Sequence, residues 1–488
     1  MSSSLPTPPS ILLPHLPPKT HVGIDLISFT STPNFHGIRE PPEGWHFLYT
    51  GTTASLSLRC GSWFYVGDIS AAGHGQNDTA LVVRDERTGN QRTGPEIHIW
   101  KWNADTESLS SLREGNDSER LEAMRLKANL GSLWRAGGLF RYRSRVSKVR
   151  LSDHSSTKEG VVKVKDDEET ELNGRKDWQQ LTDWISPRLL TRITGSPEMD
   201  VDGHPRWNLT SAGTANRDAD HIPGLDKPAE GSTSDADADQ EQEAEFGFLP
   251  VDLRRTWREG AIGRERTEAA QDRSWALGDL ILRNSSLVSG ETTVDERTGE
   301  IQVLGELQFT FLMVMTLMNF SCLQQWKRLL ELILTCRQAI VDREMFISDV
   351  VRLLLLQLQR CDDVDGGLFG MDGDDDGRFL RSLLKKFQRA VDQVIEKGTK
   401  SKVKTELDKL RAWAKDEYDW ELAHEDIVKE GKIRLEDGEL VDMDIDENDE
   451  YEETGEYAPL VVDLGDDNTE TQSVSDDGEA SDLEDMRY

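Results

Sequence analysis

Cysteine is scarce in this chain: Cys60, Cys322, Cys336 and Cys361 are the four among 488 residues, widely spaced and without any Cys-x-x-Cys pair. Neither a disulfide framework nor a zinc site is indicated, and a reducing compartment fits best. Positive charge is also short, 57 Lys and Arg against 91 Asp and Glu, for a net charge of −34 at pH 7. That balance disfavours attraction to nucleic-acid phosphates or anionic lipid. A clean apolar run of about 20 residues, the length a membrane span needs, is missing as well. The nearest stretch, Leu307 to Leu323, carries Gln308, Thr310, Thr316, Asn319 and Ser321 and is bordered by Glu306, so it reads as a buried helix. Met1 to Lys19 is Ser/Pro-rich with one short apolar Ile11-Leu12-Leu13 and no basic leader, so it does not read as a signal peptide and the expected location is inside the cell.

Sequence signatures of catalysis are missing too. There is no Gly-x-Ser-x-Gly, no Walker-type loop and no Gly-x-Gly-x-x-Gly fingerprint, and His21, His36, His46, His74, His98 and His154 stand singly without triad or metal spacing. Paired aromatics on a basic sheet, the mark of single-stranded RNA binding, are not found either. The sharpest metal candidate is Asp372-Gly373-Asp374-Asp375-Asp376-Gly377, which sets oxygen ligands at positions 1, 3 and 5 of a calcium loop and Gly at 6. Position 12, however, is Leu383 where a bidentate Glu is required, so an acidic turn between helices is the better reading. The expectation is a non-enzyme with no cofactor and no metal.

What the chain does have is charge set apart from the apolar text. Glu436 to Tyr488 holds 22 acidic residues and one basic residue, Arg487, and Thr214 to Glu245 holds ten acidic and two basic, which leaves the remainder near balance. Both stretches are too polar to bury a core. The chain therefore divides into a disordered Pro-rich lead (1–18), a β-rich domain with closing helices (19–195), a disordered acidic linker (196–245), a helical domain (246–424) and an acidic tail (425–488). In fold class this is an α+β multidomain protein.

In the β-rich part, Val22 to Asp25, Trp45 to Tyr49, Ser62 to Val66 and Ile97 to Trp102 are short apolar runs broken by Pro, Gly and Asn. Asp85 to Gly89 reads as a hairpin turn, and the same pentapeptide at Asp295 to Gly299 reads as a second turn. Glu119 to Leu133 has helical spacing, and Trp178, Leu181, Trp184, Ile185 and Leu189 mark another helix ending near Gly195. In the helical part, Ser321-Cys322-Leu323-Gln324 matches a capping box at the start of a helix through Trp326 and Leu334. Leu307 to Met318 before it and Phe346 to Leu358 after it should share its core, with Phe379 to Ile395 and Leu407 to Trp420 as further amphipathic helices.

One segment of the tail does not fit acidic disorder. Tyr457-Ala458-Pro459-Leu460-Val461-Val462-Asp463-Leu464 is apolar and β-branched, and it has the alternation to add as a strand to an exposed sheet edge of a partner. Pro459 forgoes one donor and suits the start of such a strand. Downstream, Ser473 with Asp476 and Ser481 with Glu484 have the spacing of acidophilic-kinase sites. A rival reading takes the tail as a charge shield of histone-chaperone type, acting through its net charge alone.

Several of these stretches together resemble one family. Val22-Gly23-Ile24-Asp25, Phe35-His36-Gly37-Ile38 and Pro41-Pro42-Glu43-Gly44-Trp45-His46-Phe47 look like its N-terminal signature. Val303-Leu304-Gly305-Glu306-Leu307-Gln308-Phe309, Trp326-Lys327-Arg328-Leu329-Leu330, Asp419-Trp420 and the 457–464 strand follow in the same order. The chain is similar in this way to the A1 cistron-splicing factors, chaperone-like assembly factors of the U5 small nuclear ribonucleoprotein. The resemblance implies a β-sandwich-like N-terminal domain and a stacked-helix, VHS-like C-terminal domain. It also implies a tail strand, here Tyr457 to Leu464, that binds the large scaffold pre-mRNA-processing-splicing factor eight across its RNase H-like and Jab1/MPN domains. Such a factor holds off the U5 helicase and RNA, works in cytoplasm and nucleus, contacts no nucleic acid or membrane directly, and is a monomer that enters a heterocomplex. The linker at 214–245, the loop at 366–377 and the stretch at 425–455 look like insertions, and the Pro-rich lead and the tail beyond 464 are extra.

Overall fold

The computed structural model describes residues 8–53, 57–69, 96–113, 116–145, 159–215, 245–289, 296–361, 377–395, 399–422, 430–434 and 440–444. Within the unit spanning Met1–Glu425, two sheets build the N-terminal half. Their strands are β1 (Ser10–Leu12), β2 (His21–Ile24), β3 (Ile27–Thr30), β4 (Gly37–Arg39), β5 (Gly44–Gly51), β6 (Arg59–Val66), β7 (Ile97–Asn103), β8 (Ser108–Ser111), β9 (Leu139–Arg141), β10 (Glu198–Met199) and β11 (Pro205–Thr210). One sheet runs β8-β7-β1-β4-β9 and the other β10-β11-β6-β5-β2-β3.

The alternation of side chains along β5 and β6 explains how the layers stack. Trp45, Phe47, Tyr49 and Trp63 join the core shared with the helices, whereas Leu48, Phe64 and Val66 join the core shared with Ile11, Ile38 and Trp100 of the first sheet. Both faces of the six-stranded sheet are thus buried, which is why its strands read as dense apolar runs. Gly23 on β2 answers a local demand: a Cβ there would meet the Tyr49 ring at 1.9 Å, so the ring lies over bare backbone. The outer face of the first sheet is covered by α1 (Asp117–Arg135) through Leu12, Ile97, Ile99, Ala123 and Leu130.

Helices α2 (Glu159–Thr182) and α3 (Pro187–Thr194) lead from the sheets to the helical half. The single helix expected around Trp178 to Leu189 is two, because Ser186 caps a new start by accepting from the Leu189 N–H and Pro187 follows at the first helical position. Beyond lie α4 (Arg264–Gln271), α5 (Ser274–Ser289), α6 (Glu296–Leu317), α7 (Phe320–Leu334), α8 (Ala339–Asp342), α9 (Glu344–Arg360), α10 (Arg378–Val394) and α11 (Lys402–Tyr418).

α6 is the axis of this half. Neighbours α2, α3, α5, α7, α9 and β6 all pack on it, and its apolar window is 94% buried within the protein, as the polar residues of Leu307 to Leu323 suggested. Trp63 of β6 lies between Trp178 of α2 and Phe309 of α6, with ring centroids at 6.2 and 6.4 Å, so sheet and helices share one aromatic joint.

Several sequence expectations are corrected here. The Pro-rich lead is not all disordered: Ser10–Leu12 is the middle strand of the first sheet, antiparallel to β4 and parallel to β7. The first part of the supposed linker, 196–215, carries β10 and β11, and Trp207 of β11 is 1% exposed beside β6. Glu296–Gly299 is not a turn but the first turn of α6; its Gly299 sits where a Cβ would come within 2.1 Å of the Ile281 carbonyl of α5. The capping box at Ser321 is displaced by Asn319, whose side chain accepts from the Cys322 N–H, so α7 begins at Phe320, two residues before a Ser321 cap would start it.

The tail contains structure of its own. Glu430–Arg434 (β12) and Leu440–Asp444 (β13) pair antiparallel with Ile433 opposite Val441, where only acidic disorder was expected. Asp and Glu dominate the surrounding composition and hide the short alternation. The hairpin at Asp85 to Gly89, most of the acidic linker and Asp372 to Asp376 lie outside the described residues. Gly377, the last residue of that loop, takes φ 62° at the start of α10, and Leu383 is buried in that helix.

Candidate interaction site

Asp25 sits in the turn between β2 and β3 with φ 56°, a left-handed conformation that Asp tolerates better than most residues. From there its carboxylate reaches into the space between the two sheets. Oδ1 accepts from the Phe47 N–H at 3.0 Å, and Oδ2 accepts from the Tyr142 hydroxyl at 2.5 Å and from His46 Nδ1 at 2.9 Å. His46 Nε2 faces the Pro42 carbonyl at 2.8 Å. Both ring nitrogens thus point at acceptors, which requires the doubly protonated ring. Burial opposes that charge, yet the Asp25 carboxylate and the Pro42 carbonyl outweigh it and hold the His46 pKa above its ordinary value. Burial and then Asp25 push the Tyr142 phenol well above its ordinary range, so it remains a donor.

This network forms the back of a cavity of about 420 Å³ at the meeting of β5, β6 and the C-terminal end of α2. Trp45, Tyr65 and Trp178 supply aromatic walls, with Glu43 and Asp183 exposed among the lining residues and Arg175 at one side. Trp178 Nε1 donates to the Trp45 carbonyl at 2.7 Å, which fixes the helix to the strand. Trp45 and Tyr65 meet edge to face at 5.3 Å. The floor is held from the helical half, where Gln308 of α6 accepts from the Trp184 N–H at 2.9 Å and donates to the Gln180 carbonyl and to Asp183.

A second cluster brings one ligand atom each of His98, Asp200 and His204 within 4.8 Å of one another. Its chemistry is that of a structural knot rather than a cation site. Asp200 Oδ1 accepts from the N–H groups of Asp202 and His204, and Oδ2 from Arg206 Nη2 at 2.6 Å and His204 Nδ1 at 3.2 Å. All its acceptor directions are engaged, and the guanidinium in contact would repel a cation. Burial raises the Asp200 pKa, but His204 and Arg206 outweigh it and keep the carboxyl ionised. Burial drives His98 the other way, down to about 4, so its neutral ring donates through Nε2 to Glu96 at 2.9 Å.

The partner-binding strand read from the sequence, Tyr457 to Leu464, and the phosphorylation candidates Ser473 and Ser481 lie outside the described residues. Of the cavity residues, Pro42 to His46 fell within a stretch singled out by the sequence, but their gathering with Tyr142 and Arg175 to Ile185 did not. That gathering joins positions 21 and 117 apart in the chain around Asp25, a separation without a local signal.

Comparison with known proteins returns the same answer for both halves. Residues 7–195 match the AAR2 N-terminal domain and residues 248–423 the AAR2 C-terminal repeat region. Among curated proteins, the chain is 24% identical over 425 residues to the "Protein AAR2 homolog" of Macaca fascicularis, covering 85% of this chain and 90% of that protein. The mouse homolog is 24% identical over 418 residues and the human one 23% over 416, at the same coverage.

Proposed function

The chain belongs to the AAR2 family, the A1 cistron-splicing factors its motifs resemble, and from that premise we propose that it is a non-catalytic assembly factor of the U5 small nuclear ribonucleoprotein. A splicing-related role follows from membership itself. The observation that carries the proposal is the match through both halves in order, reaching 90% of the length of its relatives. In this reading the folded unit and the tail strand Tyr457 to Leu464 grip the large scaffold pre-mRNA-processing-splicing factor eight at its RNase H-like and Jab1/MPN domains. The grip keeps the helicase and RNA away until assembly proceeds. The factor would act in cytoplasm and nucleus, as a monomer entering a heterocomplex. Main-chain pairing would give the strand its affinity and side-chain pockets its specificity. The saturated state of the Asp25 and Asp200 carboxylates supports a structural rather than catalytic use of these clusters.

One observation favours a second reading: 22 acidic residues against one basic residue from Glu436 onward suit a charge shield of histone-chaperone type. A pull-down of the RNase H-like and Jab1/MPN region, at low and high salt, separates the two. Full-length protein should bind with little salt dependence, and truncation after Glu456 or Val461→Asp should weaken binding about tenfold or more. Binding that survives Val461→Asp and collapses with salt favours the charge shield. No binding by the full-length protein removes the scaffold assignment.

A further inference from the structure

The cavity between Trp45, Tyr65 and Trp178 has a chemistry that the family reading does not use. Its volume of about 420 Å³ lies within the usual range for a small-ligand site. Its walls are aromatic, and the charge exposed at its rim is acidic. Glu43 is exposed at the lip, and Asp183 is exposed beside the turn that Gln308 holds. The cations among the lining residues are each offset by a carboxylate: Arg175 Nε is paired with Glu171 at 3.3 Å, and His46 Nδ1 with Asp25 at 2.9 Å. Tyr65 reports the field: burial and then Glu43, Asp68 and Glu96 raise its pKa. An anionic ligand such as a phosphate would be repelled here. The chain's own tail from Glu436 onward is excluded by the same sign, since it carries a single basic residue.

We propose that this cavity receives an arginine side chain from a basic segment of a protein partner. A guanidinium stacks on Trp and Tyr faces and offers its remaining N–H donors to carboxylates, so aromatic walls with acidic lips suit it better than they suit a neutral group. The volume leaves room for the neighbouring main chain as well as the side chain. The conformation is held ready on three sides: by the Trp178 bond to the Trp45 carbonyl, by His46 locked to Asp25, and by Gln308 under the Trp184 turn. An arginine would therefore meet a formed site and lose little to reorganisation. The inference rests on the partner-binding reading for the source of the arginine, but the site can be tested without any scaffold.

The test is a titration of the full-length, 15N-labelled protein with N-acetyl-arginine N-methylamide, against the citrulline analogue of the same shape without the charge. The Trp45 and Trp178 indole N–H signals should move saturably with the arginine probe, and citrulline should bind about tenfold more weakly. Glu43→Gln, exposed at the lip, should weaken the arginine probe several-fold with an unchanged melting temperature, and Tyr65→Leu, which keeps an apolar contact with Trp45 but removes the aromatic wall, should weaken it by a similar factor. Equal binding of the two probes, shifts that persist in both variants, or no saturable shift would overturn the proposal. Any of these would leave the scaffold pull-down standing, so the two readings fail separately.

Discussion

The two halves of the Met1–Glu425 unit bury polar groups in different ways. In the sheet half, buried carboxylates are closed onto neighbouring side chains: Asp25 onto His46 and Tyr142, Asp200 onto Arg206 and His204. In the helical half, α6 and α7 carry Glu306, Gln308, Asn319 and Gln325, and these reach the main chain of distant segments. Glu306 and Gln325 hold the Leu249 N–H and carbonyl, Gln308 the turn at Trp184, and Asn319 the carbonyls of Ser211 and Gly213. A carboxylate can only accept; side-chain amides, which both donate and accept, can satisfy the N–H and the carbonyl groups of irregular backbone that has no ladder of its own. The helical core thereby holds the connecting segments, and through them the sheets.

The hardest way to break this contrast is at Glu306, the one carboxylate in the set. It accepts from the Leu249 N–H at 2.9 Å and from Gln325 at 2.7 Å, and pairs with Arg192 at 2.7 Å, while fully buried. Glu306→Ala leaves the Leu249 N–H without its acceptor and takes one of two acceptors from Gln325 and from Arg192, and should cost about 3–5 kcal/mol in chemical unfolding. Glu306→Gln keeps an acceptor and should cost less. A loss below about 1 kcal/mol for the alanine variant would mean that the helical core does not depend on its grip on residues 247–249.

A smaller effect should come from the sheet half, and it should depend on pH. His98 takes its proton near pH 4 in the folded protein rather than at its ordinary value of 6.5. Its contribution is complete above pH 6.5. Between pH 6.5 and 4 the unfolded chain binds a proton that the folded chain refuses, so stability should fall by up to about 3 kcal/mol. His46 runs oppositely: its raised pKa gives stability that is complete below 6.5 and lost as pH rises through its folded value. Urea midpoints from pH 4.5 to 9 should therefore show an acid limb flattened by His98→Asn and an alkaline limb flattened by His46→Gln. Identical profiles in wild type and both variants would mean that these histidines do not set the pH dependence.

Sequence patterns revealed the dense strands β5 to β7, helices α1 and α9, and the buried nature of α6, because each is long or periodic enough to show in a short window. They missed β1, three residues between prolines whose strand character comes only from β4 and β7 on either side. They also missed β11, placed after a Gly/Asp/Pro stretch of linker composition and paired with β6 some 146 positions earlier. The Asp25 network and the cavity failed to show for the same reason, since residues from turn, strand and helix meet only in the fold. Gln308 and Asn319, by contrast, were visible but misjudged in kind: they counted as marks against a membrane span, and in the fold they are the groups that join the halves.

Asn319 offers the finest test of that joint, because one side chain does two things. Its Oδ1 accepts from the Cys322 N–H at 2.8 Å as the cap of α7, and its Nδ2 donates to the carbonyls of Ser211 at 3.1 Å and Gly213 at 2.8 Å. Asn319→Ala removes both and should cost about 2 kcal/mol. Asn319→Asp keeps the cap acceptor but turns an acceptor toward the two carbonyls, so it should be at least as damaging as alanine if the joint matters. Asn319→Ser also preserves a cap but is too short to span to the segment at 211–213, and should fall between wild type and alanine. If Ser restores full stability, the bond to that segment contributes nothing, and α7 needs only its cap. If Ser and Ala are equally unstable, the cap is the minor part, and the stability of the helical half rests on its hold on the sheet's last strand.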